Sequence, residues 1–403
     1  MKSIVQVLSF DIGSKVILGV LGILLIRYMP PTEYATYTLA LALTAFVSQS
    51  VAATFNRLYI IAGSREEGRE WTLIGAQGMV VCVLILLGLP LMRTLDHAYW
   101  LIAVLVLATC ASEFAKTYYQ GDLKFLRFSL VELSRSLLFF LAALGVIVTS
   151  DLHPTSDAML AVQSASLLFV AGFALFRPAR RWPATNLSMV RRHFSKLVKG
   201  EHSFLFGYFF VLGVFTQTDI FMLKILGDEA MLATYGSAFR YYSILSLVLG
   251  AVHTVLLPTI QKLSNHQELR DVLALHRRVL VAFVVVTMTA GWLAGWVIPW
   301  VDAGKYPAAV DTFRVLCASA VISFAFSPYV NLLMRFGNFA FLLILILIAL
   351  LIHTAVSALL IPPYGAVGAA LSVLVSAATV TISIYIKSRK LIASRMTNEG
   401  IQP

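Results

Sequence analysis

Charge is scarce in this chain. Asp, Glu, Lys and Arg make up 13% of its 403 residues, 59% are hydrophobic, and the mean hydropathy is +0.84. So few charges cannot clothe the surface of a water-soluble fold of this length, which excludes a soluble enzyme or binding domain. Cysteine is scarcer still: Cys82, Cys110 and Cys317 all lie inside apolar stretches, with no CxxC and no paired spacing. A disulfide framework and a zinc site are therefore not implied. The apolar stretches are continuous and do not alternate in segments of about ten, which excludes a transmembrane β-barrel. No nucleophile–base pattern or metal motif is present, and the sequence implies no cofactor. Acid is the rarer sign, 20 residues against 31 Lys and Arg, for a net charge of +11. The basic residues sit in alternate loops, so membrane orientation accounts for them and nucleic acid is not an expected partner.

What the chain has is apolar length. About twenty helical residues cross the roughly 30 Å of hydrocarbon in a bilayer. Spans of this size are predicted at Val5–Arg27, Tyr34–Phe55, Thr72–Met92, Ala98–Tyr119, Phe128–Thr149 and Ala158–Phe176. A second set follows at Ser203–Leu226, from the turn at Gly227 to Leu257, and at Val279–Trp300, Thr312–Met334, Phe339–Ile361 and Ala366–Ile386. Asp11 and Lys15 interrupt the first run and no small-residue cleavage site follows it, so it reads as an uncleaved span. Between the sets stands Arg177–Lys199, with seven basic residues and no acid. Pro178 and Pro183 stop the preceding helix. Leu187, Val190, Phe194 and Leu197 then recur at helical spacing, as in a short amphipathic helix on an anionic membrane surface. A solvated loop is the alternative. The expected organisation is a lobe over 1–176, a basic linker over 177–200, a second lobe over 201–386 and a basic tail over 387–403.

Charge sets the orientation. With the N-terminus in the cytoplasm, 22 Lys and Arg fall on that side and three, Arg27, Arg93 and Lys305, on the other. That bias predicts twelve spans with both termini cytoplasmic. The halves also echo each other. IRYMPPTEYATY (Ile26–Tyr37) joins spans one and two, and LKILGDEAMLATY (Leu223–Tyr235) joins spans seven and eight. Each has a basic residue, a tight turn with an acid, then Ala-Thr-Tyr, which predicts duplicated halves of like orientation.

These segments, together with others, carry a family resemblance. IRYMPPTEYATYTLALA, QTDIFMLKILGDEAMLATYGSAFR (Gln217–Arg240), LLPTIQKL (Leu256–Leu263), DAGKYPAAVDTFRVL (Asp302–Leu316) and IPPYGAVGAALSVLVS (Ile361–Ser376) resemble, in order and spacing, the Wzx-type polysaccharide flippases. These belong to the multidrug/oligosaccharidyl-lipid/polysaccharide exporter superfamily. Met29-Pro30-Pro31 departs from that group's usual Leu-Gly-Pro. The resemblance implies an all-α polytopic protein with about twelve transmembrane helices in two pseudo-symmetric six-helix lobes around a central cavity. It implies export of an O-antigen or exopolysaccharide repeat unit, carried as an undecaprenyl-diphosphate-linked oligosaccharide, across the bacterial inner membrane. A polysaccharide polymerase and a chain-length regulator are the partners it implies, beside membrane lipids.

Ionisable groups at membrane depth cost several kcal/mol unless they pair or face water, so each is a functional candidate. Asp11 and Lys15 lie one turn apart on span one, Glu113 and Lys116 on span four, and Glu132 and Arg135 on span five. Each pair reads either as structural pairing or as ion coupling. Asp219, Lys224, Arg240 and Arg314 fall in the second half. Guanidinium donates two parallel hydrogen bonds to a diphosphate and ammonium offers a point charge. Lys15, Arg240, Arg314 and Lys224 are therefore candidates to receive the diphosphate, with a bridge to Asp219 as the rival role for Arg240. His253 and His353 read as hydrogen-bonded structure. Two other functions stay open: a cation-coupled multidrug exporter, in which Asp11 and Asp219 carry the ion, and a membrane enzyme of polysaccharide assembly. The orientation is directly testable. Ser64→Cys, Ser188→Cys and Thr397→Cys, made singly in a cysteine-free background, are expected to react with an impermeant maleimide from one face of the membrane. His153→Cys and Lys305→Cys should react only from the opposite face, and labelling of all five from one side would sink the twelve-span arrangement.

Overall fold

The computed structural model describes residues 2–56, 69–88, 98–121, 124–179, 188, 203–262, 266–336 and 338–398. Almost all of the basic linker, including the amphipathic helix expected at 187–199, lies outside the described residues, as does the side chain of Asp11. Among those described, all regular structure is helical. Each predicted span has its helix. The first six are Lys2–Tyr28, a run beginning with Pro31–Val47, then Arg69–Leu87, Ala98–Gly121, Phe125–Thr149 and Ser156–Ala179. The second half has Ser203–Phe215 with Thr218–Leu226, then Glu229–Lys262, His266–Asp302, Ala309–Arg335 and Phe339–Asn398. The stretch Phe339–Ile392, at 54 residues, is long enough to cross a bilayer twice, and it breaks at Gly365 into spans eleven and twelve. The result is a twelve-helix fold in two compact units, Met1–Gln217 and Thr218–Pro403.

In the first unit, span four packs on spans five and six, and span five packs on span one. Span two starts with Pro31 at its first position, where a missing N–H costs nothing. Its far end passes through a π-helical turn at Ser48–Ala52. Gly213 of span seven lies against that turn so closely that a Cβ there would sit 2.7 Å from the Cβ of Ser50. The acid of the first echo has a definite task. Glu33 accepts the backbone N–H of Ser156 at 2.6 Å, satisfying a free donor at the start of span six. In the second echo Asp228 accepts the N–H of Met231 at 2.7 Å and so caps its own helix. The tyrosines that close the two Ala-Thr-Tyr runs, Tyr37 and Tyr235, are both buried.

Span seven differs from the continuous helix expected over Ser203–Leu226: it bends by 43° between Phe215 and Thr218. The polar run Thr216-Gln217-Thr218-Asp219 explains the break. Thr216 turns its hydroxyl back to the Gly213 carbonyl at 3.1 Å and across to Gln49 at 2.7 Å. The Gln217 N–H bonds Val214, three residues back, and Asp219 stands in the first turn of the new helix, where an acid suits the dipole. The division between the units falls at this bend.

In the second unit, span ten packs on spans eight and nine and on the long helix Phe339–Asn398 that holds spans eleven and twelve. Pro328 sits inside span ten and cannot donate to the Phe324 carbonyl four residues earlier. His276 of span nine supplies the missing bond, its Nε2 standing 3.0 Å from that oxygen, with its ring stacked on Phe324. Because the partner is a carbonyl, Nε2 carries the proton. Span nine also begins earlier than Val279, since the basic stretch expected to be a loop is helical from His266. Spans eleven and twelve are joined by small polar groups: Ser357 donates to Ser372 at 2.9 Å, and His353 Nδ1 lies 3.1 Å from Ser376.

The turn between spans eleven and twelve requires glycine twice. Gly365 has φ +54°, and a Cβ on Gly368 would lie 2.1 Å from the Leu360 carbonyl oxygen. Gly368→Ala is therefore expected to cost at least the roughly 1–3 kcal/mol typical of overpacking. The loss of monodisperse protein on size exclusion would report it. Gly19→Ala, where nothing lies within 4 Å of the added carbon, should behave as wild type.

Candidate functional site

Among the described residues, two clusters of ionisable groups lie at membrane depth, one in each unit. The first joins spans four and five. Each helix carries its acid three residues before its base, so each forms the intrahelical pair expected from spacing. Lys116 lies 3.2 Å from Glu113, and Arg135 lies 2.5 Å from Glu132. The structure then couples the pairs across the helix interface. Lys116 reaches Glu132 at 2.9 Å and Arg135 reaches Glu113 at 3.5 Å, closing a ring of alternating sign. Glu132 is its most buried member, with side-chain exposure of 9%, and Glu113 its most open, at 28%. Lys116 also stands 5.5 Å from the centre of the Phe128 ring. The ring sums to zero charge and sets each member beside two of opposite sign, which is the arrangement low dielectric favours.

The second cluster stands at the bend of span seven. Asp219 is buried, accepts the Ile220 N–H at 2.9 Å and takes a short hydrogen bond from the Tyr235 hydroxyl of span eight. Among the described residues, the groups bonded to Asp219 are therefore a hydroxyl and an amide, not the Arg240 guanidinium weighed as its partner. The Tyr235 role was missed in the sequence. Ala-Thr-Tyr was visible as a repeated turn mark, but nothing in one sequence shows that the first tyrosine bonds Gln163 at 3.0 Å while the second bonds Asp219.

The four candidate cations are placed differently from one another. Lys15 is half-buried on span one, with Ser14 beside it bonded to the Phe10 carbonyl. Lys224 is half-buried in the last turn of the second half of span seven. Arg240 is half-buried on span eight, next to Tyr241, whose ring meets Phe313 of span ten edge-on at 6.3 Å. Arg314 follows Phe313, but its own side chain is half-exposed and lies along span nine. There it donates to the Gly291 carbonyl at 3.1 Å over the groove left by Gly291 and Gly295, and it pairs with Asp311 of its own helix at 3.1 Å. The Tyr241–Phe313 contact thus brings the backbones of Arg240 and Arg314 to adjoining helices, while Arg314 is already engaged with its neighbours.

The charge ring makes a quantitative prediction. Glu132→Gln leaves two cations facing one carboxylate and is expected to cost about 3–5 kcal/mol. Lys116→Met combined with Glu132→Leu removes one charge of each sign and should cost less than either change alone. Thermal unfolding of the purified protein in detergent measures both, and a double variant less stable than both singles would refute the ring as a mutually compensating unit.

No protein-family model matches the sequence, and no curated protein does. Solved structures do match, along nearly the whole chain. Lipid II flippase MurJ in an inward closed conformation is similar over 95% of this chain and 87% of its own, with a TM-score of 0.75 and 13% identity. A MATE transporter in complex with MaL6 is similar over 98% and 96%, with a TM-score of 0.63 and 15% identity. The Vibrio cholerae MATE transporter VcmN, in its bent form, is similar over 98% of each chain, with a TM-score of 0.58 and 13% identity. At such identities the likeness is one of fold: this chain has the fold of multi-pass membrane flippases and transporters.

Proposed function

We propose that this chain is a flippase. Its cargo is an undecaprenyl-diphosphate-linked oligosaccharide repeat unit, moved from the cytoplasmic to the periplasmic leaflet of a bacterial inner membrane for cell-surface polysaccharide assembly. The observation that carries the proposal is the likeness to the lipid II flippase structure over 95% of the chain at a TM-score of 0.75, above the 0.63 reached with the MATE transporter bound to MaL6. The chemistry agrees. A diphosphate head needs cations at membrane depth, and Lys15, Arg240, Arg314 and Lys224 supply them in both halves of the chain. In this reading Arg314 exchanges its exposed bond to Asp311 for the cargo. Both termini lie in the cytoplasm, and a polymerase and a chain-length regulator act on the cargo afterwards.

One observation favours a second reading. Asp219 is a buried carboxylate bonded to a hydroxyl and an amide, the kind of group that carries a coupling ion in an exporter of small cationic molecules.

Reconstitution separates the two. Proteoliposomes containing a short-chain polyprenyl-diphosphate oligosaccharide with a fluorescent tag should show tag crossing, read as faster quenching by impermeant dithionite. Arg240→Gln and Arg314→Gln, made singly, are expected to reduce that rate by roughly tenfold or more, the loss of a charge-assisted hydrogen bond. Retention of full rate by both variants would remove those residues from the assignment. Transport of a cationic dye under an ion gradient, with no movement of the lipid, would favour the exporter.

A further inference from the structure

At one end of the second unit, span nine changes character within a single helix. Its first turns expose Arg270, Asp271, Arg277 and Arg278 beside one large apolar side chain, Leu275, whereas the large exposed side chains that follow Val279 are Val281, Val285, Val286 and Met288. Such a switch from charged to apolar surface marks the depth of lipid headgroups. By the charge count this is the cytoplasmic end.

A cavity of about 770 Å³ opens at this level between spans nine, ten and twelve. Arg270, Ala274 and Arg277 lie one above another on the face of span nine that lines it. Alanine at the middle position keeps open the space between the two guanidinium stems. The opposite wall is aromatic. Tyr329 of span ten meets Tyr385 of span twelve edge-on at 5.0 Å, and Phe326 lies 5.6 Å from Tyr385. The bond from His276 to the carbonyl freed by Pro328 fixes span nine against span ten just beneath this wall. Arg389, which is not part of the lining, stands 5.8 Å from the Tyr385 ring centre and donates to its hydroxyl at 3.5 Å. Among the described residues neither Arg270 nor Arg277 is bonded to a carboxylate, and Asp271, between them in sequence, is bonded to the Gln267 amide.

We propose that this cavity binds a phosphate group, and that the phosphate is the headgroup of an anionic lipid in the adjoining leaflet. Two guanidinium forks and two phenol hydroxyls are donors suited to phosphate oxygens. Leu273 and Leu280 line the same cavity and lead toward the bare apolar face of span nine, where an acyl chain leaves the site. A free phosphate ion would gain nothing from that apolar exit. The site is separate from the in-span charges assigned to the cargo, so it does not depend on the flippase reading.

The test uses the full-length protein in a neutral detergent and reads the shift of its unfolding midpoint. Short-chain phosphatidylglycerol is expected to raise the midpoint, whereas the matching phosphatidylcholine and millimolar inorganic phosphate are not. The double variant Arg270→Gln with Arg277→Gln should need roughly tenfold or more lipid for the same shift. Arg278→Gln with Lys390→Gln removes as much charge from exposed positions outside the cavity and should leave the shift intact. Ala274→Phe, which fills the cavity at unchanged charge, should abolish the shift and guards against misfolding of the arginine variants. Equal weakening in the two charge doubles, or a full shift in Ala274→Phe, overturns the site. An equal shift with inorganic phosphate alone overturns the lipid as its source.

Discussion

Hydrocarbon offers no hydrogen bonds, so every backbone group that a helix leaves free at membrane depth must find a partner in the protein. The irregular points of this fold follow from that rule. Pro328 frees the Phe324 carbonyl, and a histidine on the next helix occupies it. Span seven breaks at a run of four polar residues, where Thr216 and Asp219 bond to neighbouring groups. The hairpin between spans eleven and twelve brings Gly368 against the Leu360 carbonyl, a closeness only glycine permits. In each case a polar or small residue that looks out of place in an apolar sequence stands where the helix geometry departs from ideal.

The charges inside the spans divide along the same line. The ring of Glu113, Lys116, Glu132 and Arg135 is closed, balanced and shared by two helices. Asp219 is different, being deeply buried and held by neutral donors. The first arrangement ties two helices together through charges that cancel, whereas the second holds a lone carboxylate by hydrogen bonds alone. Arg314 stands between them, since its bonds to Asp311 and Gly291 are formed at a half-exposed surface where exchange for another anion is cheap.

Much of the fold was legible in the sequence because membrane thickness converts hydropathy into helix length. All twelve runs have their helices, and the two pairs Glu113/Lys116 and Glu132/Arg135 could be seen from spacing alone. What stayed hidden depends on neighbours far along the chain. Spacing cannot show that the pairs on spans four and five fuse into one ring, that Tyr235 reaches Asp219, or that His276 serves a carbonyl on span ten. The helical start of span nine was also hidden, because charged residues in a helix extending beyond the hydrocarbon read as a loop when hydropathy is the only guide. The repeated turn was legible as a pattern, but the tasks of its acids differ: Glu33 serves a distant helix and Asp228 its own.

That last difference bears on biogenesis. Glu33 leaves the ribosome 123 residues before Ser156, the residue whose amide it receives. The first bundle can therefore form this bond only after spans two to five have been made and the sixth arrives. The second bundle has no such wait, because Asp228 finds its amide three residues later.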